Sequence, residues 1–114
     1  MKKQDLPFME HILDAISDIE RSTEGLSKQQ FAGNKDVRDA NIRRIEVIGE
    51  AVKNISKELK ERNKNIEWSK IAGTRDKIIH KYFGIDIELI WNIIKKDIPD
   101  FKKKIESIKK DLEL

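Results

Sequence analysis

Residues 45–59 read Ile45-Glu46-Val47-Ile48-Gly49-Glu50-Ala51-Val52-Lys53-Asn54-Ile55-Ser56-Lys57-Glu58-Leu59. Ile45, Ile48, Val52, Ile55 and Leu59 recur at steps of three, four, three and four, which is the period of one face of an α-helix. Isoleucine and valine favour strands by propensity. Nothing in the stretch alternates at period two, however, so the periodicity outweighs the propensity. Ile42, Val47, Gly49 and Ala51 widen the apolar arc beyond a single stripe. A glycine inside a helix costs about 1 kcal/mol against alanine, and close approach of another helix at Gly49 would account for it. That points to a second packing surface, with a dimer interface as one option. Asp36 suits the N-cap of this long helix, and the charged run from Lys60 to Asn65 should see it fade by about Asn63.

The same periodicity continues on both sides. Pro7 suits the first helical position. Phe8, Ile12, Ala15 or Ile16, and Ile19 then predict a helix to about Glu24, ended by Gly25. Ser27 and Gln30 form a capping-box pattern for a short turn carrying Phe31, and Gly33-Asn34 signals a turn. Beyond the long helix, Trp68 to Ala72 predicts a single helical turn, closed by Gly73 with positive φ. Thr74 can cap a helix running on to Gly84. A further helix starts near Asp86 with Leu89, Ile90, Ile93 and Ile94 apolar. Asp97-Ile98-Pro99-Asp100 should break the chain, and Phe101, Ile105, Ile108 and Leu112 mark a last amphipathic helix. No internal repeat, low-complexity tract or linker divides the chain. The expectation is one all-α domain spanning 1–114, an antiparallel bundle of about five helices.

The bulk properties set limits. At 114 residues the chain has the length of one domain. Its net charge of +3, with 24 basic and 21 acidic residues, permits a nucleic-acid partner without demanding one. The absence of cysteine excludes a disulfide framework and a thiolate zinc site, so a reducing, cytoplasmic setting is expected. No signal peptide is expected, and no apolar run approaches the roughly 20 residues that span a bilayer.

The chemically useful side chains concentrate in Thr74-Arg75-Asp76-Lys77-Ile78-Ile79-His80-Lys81-Tyr82, which holds one of the two histidines and the only tyrosine. If this stretch is helical throughout, Asp76 and His80 form an i, i+4 pair on one edge. A carboxylate beside an imidazole fixes its tautomer and favours its protonated form. Arg75, at the first turn, can swing across the helix end, so that Arg75, Asp76 and His80 converge on one anion. Tyr82 projects from a different edge. The residues alone leave a second possibility open: a polar helix face with a surface histidine and a half-buried tyrosine.

The pattern Arg75-Asp76-x-x-x-His80-x-Tyr82 resembles the Arg-x4-His-x-Tyr signature of the HEPN superfamily, and more narrowly that of the HepT-like toxins. Ile48-Gly49-Glu50-Ala51, Trp68 to Asp76, Ile90-Trp91 and Asp97-Ile98-Pro99 are similar to other parts of that family, so the likeness covers nearly the whole chain. It implies a homodimeric helical bundle with two motifs facing a shared cleft. It further implies a metal-independent endoribonuclease that cuts RNA by attack of the ribose 2′-OH. His80 would serve as general base or acid, Arg75 would hold the scissile phosphate, and Asp76 would orient the site. Tyr82 would be the hydroxyl that a minimal nucleotidyltransferase antitoxin (MntA-like) modifies with AMP. The alternative is a non-catalytic HEPN subunit that only partners or presents a substrate to such a nucleotidyltransferase.

Other candidates carry less. Arg38, Arg43, Arg44 and Lys53 could flank an RNA groove beside the motif, although a solvated face explains each of them. His11, beside Glu10 and Asp14, has no second histidine or cysteine at ligand spacing, so no metal site is expected. Trp68 and Trp91 suit core or interface anchors better than base-stacking platforms. Lys102-Lys103-Lys104 with Lys109-Lys110 suits a solvated helix face that adds at most non-specific phosphate affinity. Neither a glycine-rich phosphate loop nor a Ser/His/Asp constellation is present, and no cofactor is called for.

Overall fold

The structure is a computed structural model that describes residues 3–80 and 84–113. A 3-10 turn, Lys3–Asp5, leads into α1, Leu6–Thr23. There follow α2, Lys28–Gly33, α3, Lys35–Asn54, and α4, Lys57–Arg62. The motif region holds α5, Trp68–Ala72, and α6, Thr74–Ile78. Two short strands, β1, Ile79–His80, and β2, Gly84–Ile85, pair antiparallel with Ile79 opposite Ile85 and His80 opposite Gly84. The chain ends in α7, Ile87–Asn92, a π turn, Ile93–Asp97, and α8, Ile98–Glu113. The architecture is the expected all-α bundle, with a minimal hairpin added at the motif. Among the described residues no helix is long and apolar enough to cross a membrane.

The core forms where α1 packs on α3 and α8. Met9, Ile12, Ile16 and Ile19 of α1 are fully buried. Opposite them lie Ile42, Ile45, Ile48 and Val52 of α3, and Phe101, Ile105, Ile108 and Leu112 of α8. Full burial of such side chains contributes about 1.5–3 kcal/mol each. Met9 takes the first core position that the spacing gave to Phe8, which is only half-buried. Gly25 ends α1 with φ 75°, and Ser27 and Gln30 make the complete capping box of α2.

Five details depart from the expectations. The long helix stops at Asn54 rather than near Asn63. Ile55 is extended, and Ser56 starts α4 by accepting from the Leu59 N–H at 3.3 Å. Ser56 is itself held by buried Asp5, whose carboxylate accepts from its backbone N–H at 2.8 Å and its hydroxyl at 2.6 Å. Asn34, not Asp36, caps α3, accepting from the Val37 N–H at 3.1 Å. Asp36 sits in the first turn, where a carboxylate still meets the positive end of the helix dipole.

The predicted break at Asp97-Ile98-Pro99-Asp100 does not occur. Pro99 would clash with the carbonyl four residues back in a regular helix. The wider π turn before it makes that room, and the Ile98 N–H bonds to the Ile93 carbonyl, five residues back. Gly73 has φ −95°, not a positive φ, and Thr74 is the first helical residue rather than the cap, its hydroxyl donating to the Lys70 carbonyl at 2.9 Å.

The fifth departure alters the motif. Its helix ends at Ile78, not at Gly84. The Ile78 carbonyl accepts from the Asp86 N–H at 2.9 Å instead of continuing a helix, and Ile79 is extended. Adjacent β-branched Ile78 and Ile79 favour that switch to a strand. As for Gly49, the close approach lies within the chain. A Cβ there would sit 3.0 Å from the Ala72 carbonyl oxygen at the end of α5, so this glycine needs no dimer to explain it.

Candidate active site

The motif helix α6 is five residues long and buries only Ile78. Nucleation makes so short a helix unstable alone, so its neighbours must hold it. Behind it lies α5, joined through Gly73, whose N–H bonds to the Ser69 carbonyl at 3.1 Å. Trp68 anchors α5, donating its indole N–H to the Asn63 carbonyl at 3.1 Å and meeting Phe101 edge-on with ring centroids 6.2 Å apart. Ahead lies the hairpin, and Asp86 caps the next helix by accepting from the Leu89 N–H at 3.0 Å. Both α5 and α6 rest on α3.

This packing sets Arg75 beside a residue that the spacing did not single out. The Arg75 Nε lies 2.5 Å from an oxygen of Glu46 on α3. The other Glu46 oxygen pairs with Arg43. Arg75 also reaches toward Asp76, at 3.6 Å. Arg43, Glu46, Arg75 and Asp76 thus form one line of alternating charge across α3 and α6. The Arg75 side chain is 45% exposed and that of Asp76 is 85% exposed, so both face solvent. A glutamate in mid-helix reads as a solvated residue, and only the tertiary contact distinguishes Glu46 from Glu50.

The i, i+4 placement of Asp76 and His80 does not survive, because the helix ends between them. His80 lies on β1 opposite Gly84. Its side chain lies outside the described residues, as does Tyr82, which falls in the stretch 81–83 between the two strands.

Of Arg38, Arg43, Arg44 and Lys53 on α3, Arg43 alone joins the charged line. Arg44 turns inward and donates to the Ser22 hydroxyl and to Asn41 Oδ1, each at 3.0 Å, which ties α3 to α1. Arg38 lies against the Ala32 carbonyl and Asp39, and Lys53 pairs with Glu50 at 3.4 Å. His11 packs edge-on against Phe8, and no group of acidic or histidine side chains suited to a metal occurs among the described residues. Trp91 packs against Phe31 at a tilt of 41° with Lys95 above its ring, so it is a packing residue. In the C-terminal lysine run, Lys102 pairs with Glu20 and Lys104 with Asp100.

An apolar hollow lined by Ile45, Ile66, Ile71, Ile93, Ile98 and Phe101 opens next to Thr74, but Arg75, Glu46 and Asp76 do not line it. Arg75 and Asp76 therefore sit on open surface, a setting that suits part of a polymer better than an enclosed small molecule.

Residues 12–108, which include Glu46 and the whole motif, match the family model described as "Ribonuclease HepT-like". The chain belongs to the HepT-like ribonuclease family. A protein of Methanocaldococcus jannaschii named "Putative RNase" is 44% identical over 114 residues, covering 99% of this chain and 98% of its own. "Probable ribonuclease HepT" of Thermococcus cleftensis is 40% identical over 110 residues, covering 96% of this chain and all of its own. Another M. jannaschii relative, named "Gamma-glutamylcyclotransferase and putative RNase", is 42% identical over 113 residues. The HepT-like chain spans about half of that relative, 51% of its length. No solved structure matches the chain.

Proposed function

We propose that this HepT-like chain is a metal-independent endoribonuclease, the toxin of a toxin–antitoxin module. The observation that carries the reading is Arg75. It is half-exposed on open surface, inside the span matched by the ribonuclease family, and five residues before His80. In this reading His80 takes the proton from a ribose 2′-OH, whose oxygen attacks the adjacent phosphorus. The bond from phosphorus to the 5′-oxygen breaks, and that oxygen gains a proton. The products are a 2′,3′-cyclic phosphate and a 5′-OH. The need for a 2′-OH makes RNA the substrate and excludes DNA. Arg75 holds the phosphate and its developing charge, and Asp76 orients the site or tunes His80. One histidine does not readily serve as both base and acid in a single step. A homodimer that brings a second His80 to the same cleft supplies the missing acid. Arg43, which shares Glu46 with Arg75 and keeps a side chain 68% exposed, can add phosphate affinity, whereas Arg38 and Arg44 are drawn onto the protein.

Regulation follows from the same chemistry. AMP added to the Tyr82 hydroxyl by a cognate minimal nucleotidyltransferase antitoxin would put a bulky phosphate two residues from His80. It would compete there with RNA for Arg75. A non-catalytic partner subunit would show the same modification without cleavage, so cleavage is the deciding measurement.

The test is RNA cleavage by the purified protein in EDTA, beside His80→Ala and Arg75→Ala. Loss of general acid–base catalysis costs about 10²–10⁴-fold and loss of a charge-stabilising donor about 10²–10³-fold, so both variants should fall to near background while wild type stays active in chelator. Equal rates in all three proteins, or strict dependence on a divalent ion, would reject the assignment.

A further inference from the structure

We infer that Glu46 is the positioning residue for Arg75, an assignment that rests on the ribonuclease reading and deepens it. Three observations support it. First, Glu46 lies one turn before Gly49 on α3, and the missing side chain at Gly49 lets the end of α5 approach to van der Waals contact. The α6 helix follows directly after Gly73, so this contact brings Arg75 within reach of Glu46. Second, Glu46 is held from two sides. One oxygen meets Arg75 and the other meets Arg43, and the side chain is only 30% exposed. A carboxylate fixed by two guanidiniums has little rotamer freedom left, so it can fix its partner in turn. Third, Glu46 engages Arg75 through Nε. The two Nη nitrogens carry four of the five guanidinium N–H groups. That leaves the fork needed for bidentate phosphate binding. The other carboxylate at the site, Asp76, stands 3.6 Å from Nη1, beyond hydrogen-bonding distance, and is 85% exposed, so an incoming phosphate can displace it.

A long arginine side chain on a short, exposed helix would otherwise sample many rotamers. Holding its Nε side against α3 aims the Nη side at the substrate before RNA arrives, which reduces the ordering cost of binding and of the transition state. Glu46 is not assigned contact with RNA, and its effect passes through Arg75.

The experiment uses the full chain with Glu46→Gln, which keeps the size and removes the charge, and Glu46→Asp, which keeps the charge and shortens the reach. The steady-state parameters are measured on RNA. Affinity is measured for a non-cleavable oligonucleotide carrying 2′-deoxyribose at the scissile position. Misplacing a catalytic group by about 1 Å costs on the order of 10²-fold, so Glu46→Gln should lower kcat/KM by about 10–100-fold, with Glu46→Asp between it and wild type. A double-mutant cycle on the non-cleavable oligonucleotide isolates the route. Once Arg75→Ala is present, Glu46→Gln should add no further loss. Additive losses in the cycle overturn the assignment, as does tighter binding by Glu46→Gln, which would make Glu46 a competitor of phosphate. The Arg75 Nε–H resonance, followed by ¹⁵N NMR without RNA, should be slow to exchange in wild type and fast in Glu46→Gln. This readout separates two failures. A wild-type chain that does not cut RNA sinks the ribonuclease reading. An Nε–H indifferent to Glu46→Gln sinks the positioning role even if cleavage is robust.

Discussion

The α3 and α6 helices meet at one ion pair, yet they are stabilised in opposite ways. The first is 20 residues long and buries Ile42, Ile45, Ile48, Ala51 and Val52 in a continuous apolar face. The second has five residues, buries Ile78 alone, and exposes Arg75, Asp76 and Lys77. A long amphipathic helix carries its own stability through tertiary burial. A short, charged helix borrows stability from its neighbours, here through Trp68, through Gly73 and through the Asp86 to Ile78 hydrogen bond. Charged groups that must meet a polymer cannot be buried without large desolvation penalties. The proposed chemistry therefore falls on the element least able to fold alone, and the core is placed elsewhere.

Substitution in the core and at the exposed motif helix should separate stability from activity. Phe31 is fully buried against Trp91, with ring centroids 5.3 Å apart. Phe31→Ala should cost about 3–5 kcal/mol by lost burial and a residual cavity. Arg75→Ala, which leaves the core untouched, should stay within about 0.5 kcal/mol of wild type. Chemical denaturation of both variants measures the contrast. A large loss from Arg75→Ala would show that the charged line is structural, and the distinction between scaffold and site would fail.

That contrast also governs how much the sequence disclosed. The burial-driven parts were legible: the α1 and α8 stripes, the apolar face of α3 up to Val52, and the capping box of Ser27 and Gln30. Each follows from period or from local hydrogen-bonding chemistry. The end of α3 was not, because Ile55 and Leu59 are both buried on either side of the turn at Ser56, so the apolar spacing runs on unbroken. The interaction that makes the turn comes from Asp5, fifty-one positions away. Pro99 announced a break, but a π turn absorbed it. At the motif, helical spacing past Ile78 was a coincidence of residue types. The segment is stapled by a hydrogen bond from the Asp86 N–H to the Ile78 carbonyl. Glu46 carried no local signal at all, since its meaning arises only when α6 is laid on α3.

Gly49 joins the two regions and predicts an intermediate effect. An added Cβ would stand 3.0 Å from the Ala72 carbonyl oxygen, which is backbone and cannot rotate away. Gly49→Val adds two further methyl groups. Overpacking of this kind costs about 1–3 kcal/mol, more than the helix-propensity gain of replacing glycine recovers. The displaced element is α5, and α6 travels with it. Cleavage measured well below the melting transition should therefore fall along with stability, unlike in Phe31→Ala, where the residual folded fraction should stay active. Full activity in folded Gly49→Val would show that α6 holds its place without α5.

The smallest effect belongs wholly to the scaffold. Lys102 on α8 donates to the Glu20 carboxylate on α1 at 2.9 and 3.2 Å. Its hydrogen bond to Glu20 raises its pKa above the ordinary value of 10.5; the charges of Glu20 and Glu106 add to this, and partial desolvation opposes it. A lysine whose pKa is raised by folding stabilises the folded state fully below its unfolded value. That contribution fades as pH rises above 10.5 through the folded value. The side chains are 35% and 46% exposed, so water screens the pair and its worth is about 0.5 kcal/mol or less. Lys102→Gln should accordingly be less stable than wild type by about that amount at neutral pH. The gap should close in strongly alkaline solution and shrink in high salt, and cleavage should not change at all. A gap that persisted at high pH would trace instead to the packed methylene stem of Lys102, and α1 and α8 would then be joined by apolar contact alone.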